Sequence, residues 1–132
     1  MRIISGKLKG KSINFLKNSV TRPLKDSVKE NIFNVLSHSN LIDAKIENAN
    51  ILDLYSGVGS FGLECISRGA KKVKFIEQDK QALETLKENL IQLSIINKAE
   101  FINDHIENIL IKNNKEKYDI FFLIHHFQIK LF

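Results

Sequence analysis

Asp53, Gly57, Gly59, Gly62 and Glu77 are the residues of this chain whose types and spacing suit chemistry best. The run Ile51-Leu52-Asp53-Leu54-Tyr55-Ser56-Gly57-Val58-Gly59-Ser60-Phe61-Gly62 starts apolar, reaches an acid and then turns on glycines. Such a run reads as a buried parallel strand entering a helix. Gly57 and Gly59 carry no Cβ, so the backbone can turn sharply there and a ligand can approach closely. The helix that follows aims its first N–H groups and the positive end of its dipole at the same spot. That combination is a seat for a nucleotide or a cofactor.

The spacing Gly57-x-Gly59-x-x-Gly62 alone fits a dinucleotide fingerprint, which is a weak match. Asp53 shifts the weighing. At the carboxyl end of the strand it would repel a pyrophosphate but accept from an ammonium group. An oxidoreductase reading is disfavoured for that reason, and because no substrate domain is evident. The pattern Asp-x-x-x-Gly-x-Gly resembles motif I of class I S-adenosylmethionine methyltransferases. Glu77 follows about twenty residues after the first glycine, where an acid accepts both hydroxyls of a ribose. The resemblance gives Glu77 that role toward adenosine, and implies a cofactor-binding set of Asp53, Tyr55, Gly57, Gly59 and Glu77. In such enzymes an acidic or amide side chain after the third strand meets the adenine amino group. Both Asp104 and His105 stand there; Asp104 is preferred because a carboxylate accepts from an amino group.

These groups need elements to hold them. Apolar spacing predicts strands at 51–54, 72–76, 99–102 and 118–123, and helices over 60–68, closed by Gly69, and about 80–93. Asp79 is placed to cap the longer helix, with Leu83, Leu86, Leu90 and Leu93 as its buried stripe. Ile106, Ile109 and Leu110 mark a short helix. Ahead of the glycine loop, residues 1–15 read as a small hairpin with lysines outside, and 25–37 as a helix burying Val28, Ile32, Val35 and Leu36. The layout is thus a basic hairpin-and-helix arm (1–37), a connector (38–50) and a Rossmann-like α/β domain (51–132). Strand order 3-2-1-4 with right-handed crossovers is expected, leaving strand four an exposed apolar edge.

The arm carries a second resemblance. Met1-Arg-Ile-Ile-Ser-Gly-Lys-Leu-Lys-Gly-Lys11 and Thr21-Arg-Pro-Leu-Lys-Asp-Ser-Val-Lys-Glu-Asn-Ile-Phe-Asn-Val-Leu36 look like the opening of the RsmD-type methyltransferases. The likeness runs from Met1 to about Leu123. It implies S-adenosylmethionine-dependent methylation of guanine N2 in 16S ribosomal RNA, on the small ribosomal subunit. Charge agrees with a polyanion partner. Residues 1–30 hold eight Lys/Arg against Asp26 and Glu30, a net of +6, while the whole chain carries +5. Arg2, Lys7, Lys9, Lys11, Arg22 and Lys25 are the RNA-binding candidates.

One departure stands out. In the resembled family the fourth strand ends in Asp-Pro-Pro-Phe or Asp-Pro-Pro-Tyr, whose carboxylate and carbonyl orient the guanine amino group. Here the corresponding residues are Ile124-His125-His126-Phe127. The codons GAT-CCA-CCA-TTT-C read one base later become ATC-CAC-CAT-TTC, so a one-base deletion is expected to underlie the altered motif and a truncated chain. Phe127 alone keeps a stacking role. The expectation is a chain of poor catalytic competence, with a catalytically dead cofactor- or RNA-binding remnant as the alternative.

Composition narrows the rest. With 132 residues and 43% hydrophobic content, one domain with a real core is expected, without a membrane-spanning segment. The lack of a signal-like start and the lone Cys65 fit the cytoplasm, and Cys65 is expected to be buried. His125 and His126, adjacent on a strand, point to opposite faces, so no metal is expected.

Overall fold

The computed structural model describes residues 1–15, 25–38, 45–112, 117–125 and 128–131. Its strands are β1 (Asn50–Leu54), β2 (Lys72–Ile76), β3 (Ala99–Ile102), β4 (Ile120–His125) and β5 (Gln128–Leu131). The helices are α1 (Asp26–His38), α2 (Ser60–Ser67), α3 (Lys80–Gln92) and α4 (Ile106–Lys112). The strands form one sheet in the order β3-β2-β1-β4-β5. The first four are parallel, in registers such as Leu54↔Ile76 and Leu54↔Leu123.

Two apolar layers show how the helices divide between the faces. Ile51, Val73, Phe75, Ile120 and Phe122 share one cluster with residues of α1, α2 and α3. Leu52, Leu54 and Ile76 form the second with Ile106 and Ile109 of α4. Alternate strand residues face opposite ways, so a doubly covered strand is apolar throughout. The chain winds one way through β1, β2 and β3, then returns past β1 to β4. The carboxyl ends of β1 and β4 therefore meet at the point where strand order reverses, the usual ligand crevice of such sheets.

Local signals explain most boundaries. Asp79 Oδ1 accepts from the amides of Gln81 (2.9 Å) and Ala82 (3.4 Å), capping α3. After α2, Gly69 takes φ 103° and the Ala70 amide reaches Cys65 O at 3.0 Å, closing the last turn. The arm is a narrow loop in which the Ile3 amide donates to Lys11 O at 2.9 Å and the Ile13 amide to Met1 O at 3.1 Å. Ile3, Ile13, Ile32, Phe33 and Leu36 of the arm lie in the same cluster as the sheet residues.

Three expectations are corrected. Strand four is no bare edge, since β5 pairs with it antiparallel in the register Phe122↔Leu131 to His125↔Gln128. It also begins at Ile120, because Asp119 is engaged with Asn50: its amide donates to Asn50 O and its Oδ2 accepts from Asn50 N, both at 2.8 Å. The buried face of α1 is turned from the expected one. Lys29, Ile32, Phe33 and Leu36 are buried, whereas Val35 is 49% exposed. An ion pair between Lys29 and Glu64, at 3.3 Å and wholly buried, brings a charged residue onto the inner face, and apolar spacing cannot anticipate that.

Candidate functional site

The glycine turn is held from below by two carboxylates. Asp53, next to last in β1, is 2% exposed, and its Oδ2 accepts from the Gly62 amide at 3.2 Å. Glu77, just past β2, accepts from the Gly57 amide with Oε1 (2.8 Å) and from the Asp79 amide with Oε2 (2.9 Å). Gly57 and Gly59 take φ 56° and 92°, the left-handed region that glycine enters at little cost. Tyr55 also has φ 56° and packs half-buried against the α4-side cluster.

The two glycines beyond the turn serve packing. A Cβ on Gly59 would stand 2.2 Å from Leu86 Cδ1, and one on Gly62 would stand 2.2 Å from Phe75 Cε1. Close approach at Gly59 is therefore to helix α3, and only Gly57 keeps an edge that is not buried.

Electrostatics at the site are strained in one direction. Burial pushes the Asp53 carboxyl well above the ordinary range, the Gly62 amide opposes the rise, and Glu77 adds to it by repulsion. Burial likewise pushes the Cys65 thiol up, helped by Asp53 and Glu64, so Cys65 is an inert core residue as its spacing indicated.

After β3, Asn103 Nδ2 donates to the carbonyls of Glu77 (2.9 Å) and Gln78 (3.0 Å). That amide ties the β2 and β3 turns together. The sequence offered no sign of this beyond an Asn at a strand end. Asp104 Oδ1 accepts from the His105 amide (2.7 Å) and from Asn108 Nδ2 (2.9 Å) at the start of α4. Asp53, Tyr55, Gly57, Gly59, Glu77 and Asp104 thus all lie at the carboxyl ends of β1, β2 and β3.

The basic candidates are spread out. Arg2 is exposed and stands 3.8 Å from Asp26; Lys7, Lys9, Lys11 and Lys25 are exposed. The Lys7 amide donates to Ser67 O, so the lysine turn sits at the far end of α2 from the glycine loop. Eight residues of helix place it about 12 Å away. Arg22, His126 and Phe127 fall outside the described residues; Ile124 and His125 are the last residues of β4.

Glu64, Lys29 and Ser60 escaped the sequence reading. Glu64 is wholly buried, and its oxygens accept from the amides of Ile4 (2.8 Å) and Ser5 (3.0 Å) and from Arg68 Nε (2.9 Å). Phe33, Phe61 and Phe122 stack in series, with centroids 5.2 and 3.4 Å apart. Among the described residues there is no group of three or more His, Cys, Asp or Glu that could hold a metal, and no helix long and apolar enough to cross a membrane.

Comparison with known proteins agrees with this geometry. The model of the family described as conserved hypothetical protein 95 matches residues 1–129. A ribosomal RNA small subunit methyltransferase D from Haemophilus influenzae is 37% identical over 99% of this chain and 66% of its own length. A putative rRNA methyltransferase, YlbH, from Bacillus subtilis is 36% identical over 83% of this chain and 56% of its own. The solved structure of a putative methyltransferase, yhhF, from Escherichia coli superposes with a TM-score of 0.70 at 30% identity, covering 83% of this chain and 55% of that one. The chain spans less than two thirds of the length of each of these relatives.

Proposed function

The chain belongs to the family described as conserved hypothetical protein 95, with a methyltransferase fold, and on that premise we propose that it carries the cofactor-binding half of an enzyme that methylates guanine N2 in 16S ribosomal RNA with S-adenosylmethionine. The observation that carries this reading is the pair of buried carboxylates, Asp53 and Glu77, that repel each other beneath the glycine turn. A buried acid with a raised pKa is relieved by a nearby cation, and the ammonium of an amino acid is such a cation.

The residues present fit the cofactor. Each Glu77 oxygen uses one lone pair on a backbone amide and keeps another for a ribose hydroxyl. Gly57 has no Cβ to block a ligand lying over the turn. Asp104, after β3, is the acceptor assigned to the adenine amino group in this reading. When bound, S-adenosylmethionine supplies an electrophilic methyl group; the chain's own part is to bind, orient and keep water away. The lysine turn and Arg2 would hold phosphates of the RNA, with the cytoplasm as the setting.

Turnover is a separate matter. Ile124 offers no acceptor for the guanine amino group, and neither His125 nor His126 restrains the backbone as proline does. Misplacing a reacting atom by about 1 Å costs on the order of a hundredfold. A chain that binds cofactor and RNA with little methyl transfer is the expected phenotype.

Two assays test this. Calorimetry should detect S-adenosylhomocysteine binding, and no binding at millimolar ligand would end the cofactor reading. Methyl transfer to undermethylated small-subunit particles should be far slower than for a frame-restored chain, whose fourth strand ends in Asp-Pro-Pro-Phe. Equal turnover by the two chains would mean that the histidines have taken over a catalytic role.

A further inference from the structure

Lys29 is buried to 0% exposure, and its ammonium meets three partners in two segments, the arm and α2. It donates to Arg2 O in the arm at 2.7 Å and to Ser60 Oγ at 3.3 Å, and pairs with Glu64 Oε1 at 3.3 Å. Glu64 in turn accepts from the Ile4 and Ser5 amides and from Arg68 Nε. The two charges of this node are thus matched by partners from the arm, from α1 and from α2.

Stability does not explain such a node. Taking both charges out of water costs so much that an apolar pair of similar volume often serves as well or better. What an apolar pair lacks is direction. Ser60 is the first residue of α2, and Gly59 before it has no side chain with which to cap the helix. The glycine turn and its helix start are instead held by three side chains from three elements. Glu77, after β2, fixes the Gly57 amide; Asp53, in β1, fixes the Gly62 amide; Lys29, in α1, fixes the Ser60 hydroxyl. The first two are the proposed ligand-binding acids. The third comes from the arm.

We infer that Lys29, acting through Ser60 and Glu64, is a positioning residue of the cofactor loop. This rests on that loop being the cofactor seat. The arm then has two parts with different duties. Its lysine turn lies at the far end of α2, whereas its helix α1 reaches back to the near end and sets where the loop stands. Losing the tether should loosen the loop without removing any group that touches the cofactor.

The test uses the full chain and two variants. Ser60→Ala removes only the loop end of the tether and leaves the Lys29–Glu64 pair intact. Lys29→Met with Glu64→Gln removes the ion pair and leaves Arg68, which is partly exposed, an amide oxygen in place of its carboxylate partner. Kd for S-adenosylhomocysteine is measured by calorimetry well below each variant's melting temperature, and amide exchange at residues 57–62 is measured in the free protein. Both variants should bind about threefold to tenfold more weakly, less than the full worth of one hydrogen bond to a charged donor, because the tether acts on the cofactor only through the loop. Combining Ser60→Ala with the pair replacement should add little, because both cut one tether. Exchange at 57–62 should quicken in both. A purely structural node would lower melting temperature alone, so folded variants with wild-type Kd and wild-type exchange overturn the inference while the cofactor reading stands. No binding by the wild-type chain overturns the cofactor reading, and this inference with it.

Discussion

Replacing Glu77 by alanine should lower stability and cofactor affinity by separate amounts. The carboxylate accepts from the amides of Gly57 and Asp79 at 2.8 and 2.9 Å. A hydrogen bond to a charged group is worth about 1.5–3 kcal/mol. Gly57 and Asp79 are both half-exposed, so water can replace part of what they lose. Relief of repulsion with Asp53 offsets a further part. The net should fall near the low end, about 2–3 kcal/mol for the two bonds together. For a chain of this size that is a fall in Tm of about 6–12 °C. Glu77→Gln keeps one carbonyl acceptor and should lose about half as much stability. Affinity is read apart from this, by titrating S-adenosylhomocysteine into folded protein. Glu77→Ala should bind about tenfold to a hundredfold more weakly, as expected for losing one charged acceptor of hydroxyl groups. A variant that melts within about a degree of wild type and binds equally well would refute both the geometry of the turn and the ribose assignment.

Three further outcomes are expected. Asp53→Asn should raise Tm at neutral pH, because the folded-state pKa of Asp53 is raised by burial, so its charged form destabilises the fold above that pKa. The gain should shrink as pH falls from that raised pKa towards the ordinary carboxylate range and be gone below it; a gain that grows on acidification would reverse the argument. Gly62→Ala should destabilise by about 1–3 kcal/mol in urea, since its Cβ would meet the Phe75 ring, and an unchanged midpoint would show slack that the packing lacks. Replacing Lys7, Lys9 and Lys11 by alanine should flatten the salt dependence of RNA binding, by roughly one slope unit for each phosphate no longer neutralised. An unaltered slope would place the RNA elsewhere.

The sequence by itself determined the elements around the glycine turn. Strands β2 and β3 have the residues their apolar runs indicated, and β1 gains only Asn50 at its start. The Asp79 cap and the Gly69 stop also stand where they were read. These features are local: an apolar alternation, a cap or a left-handed glycine depends on neighbours a few residues away. The placing of Asp53 and Glu77 at adjacent strand ends was legible for the same reason, since parallel order puts both at one edge.

Tertiary structure alone decided the rest. Val35 looks apolar enough for the core yet is half-exposed, while Lys29 lies inside, because Glu64, thirty-five positions along the chain, meets its charge there. Gly59 suited a turn and a ligand approach by type, and nothing local showed that Leu86 from α3 also stands where its Cβ would be. Asn103 gave no hint that it would bind two carbonyls of the neighbouring turn. Strand β5 turned an expected edge into a paired strand. In each case the deciding energy lies between segments far apart in the chain. Burying a charge or a polar group is favourable or costly according to the partner that meets it, and no local pattern records which partner that will be.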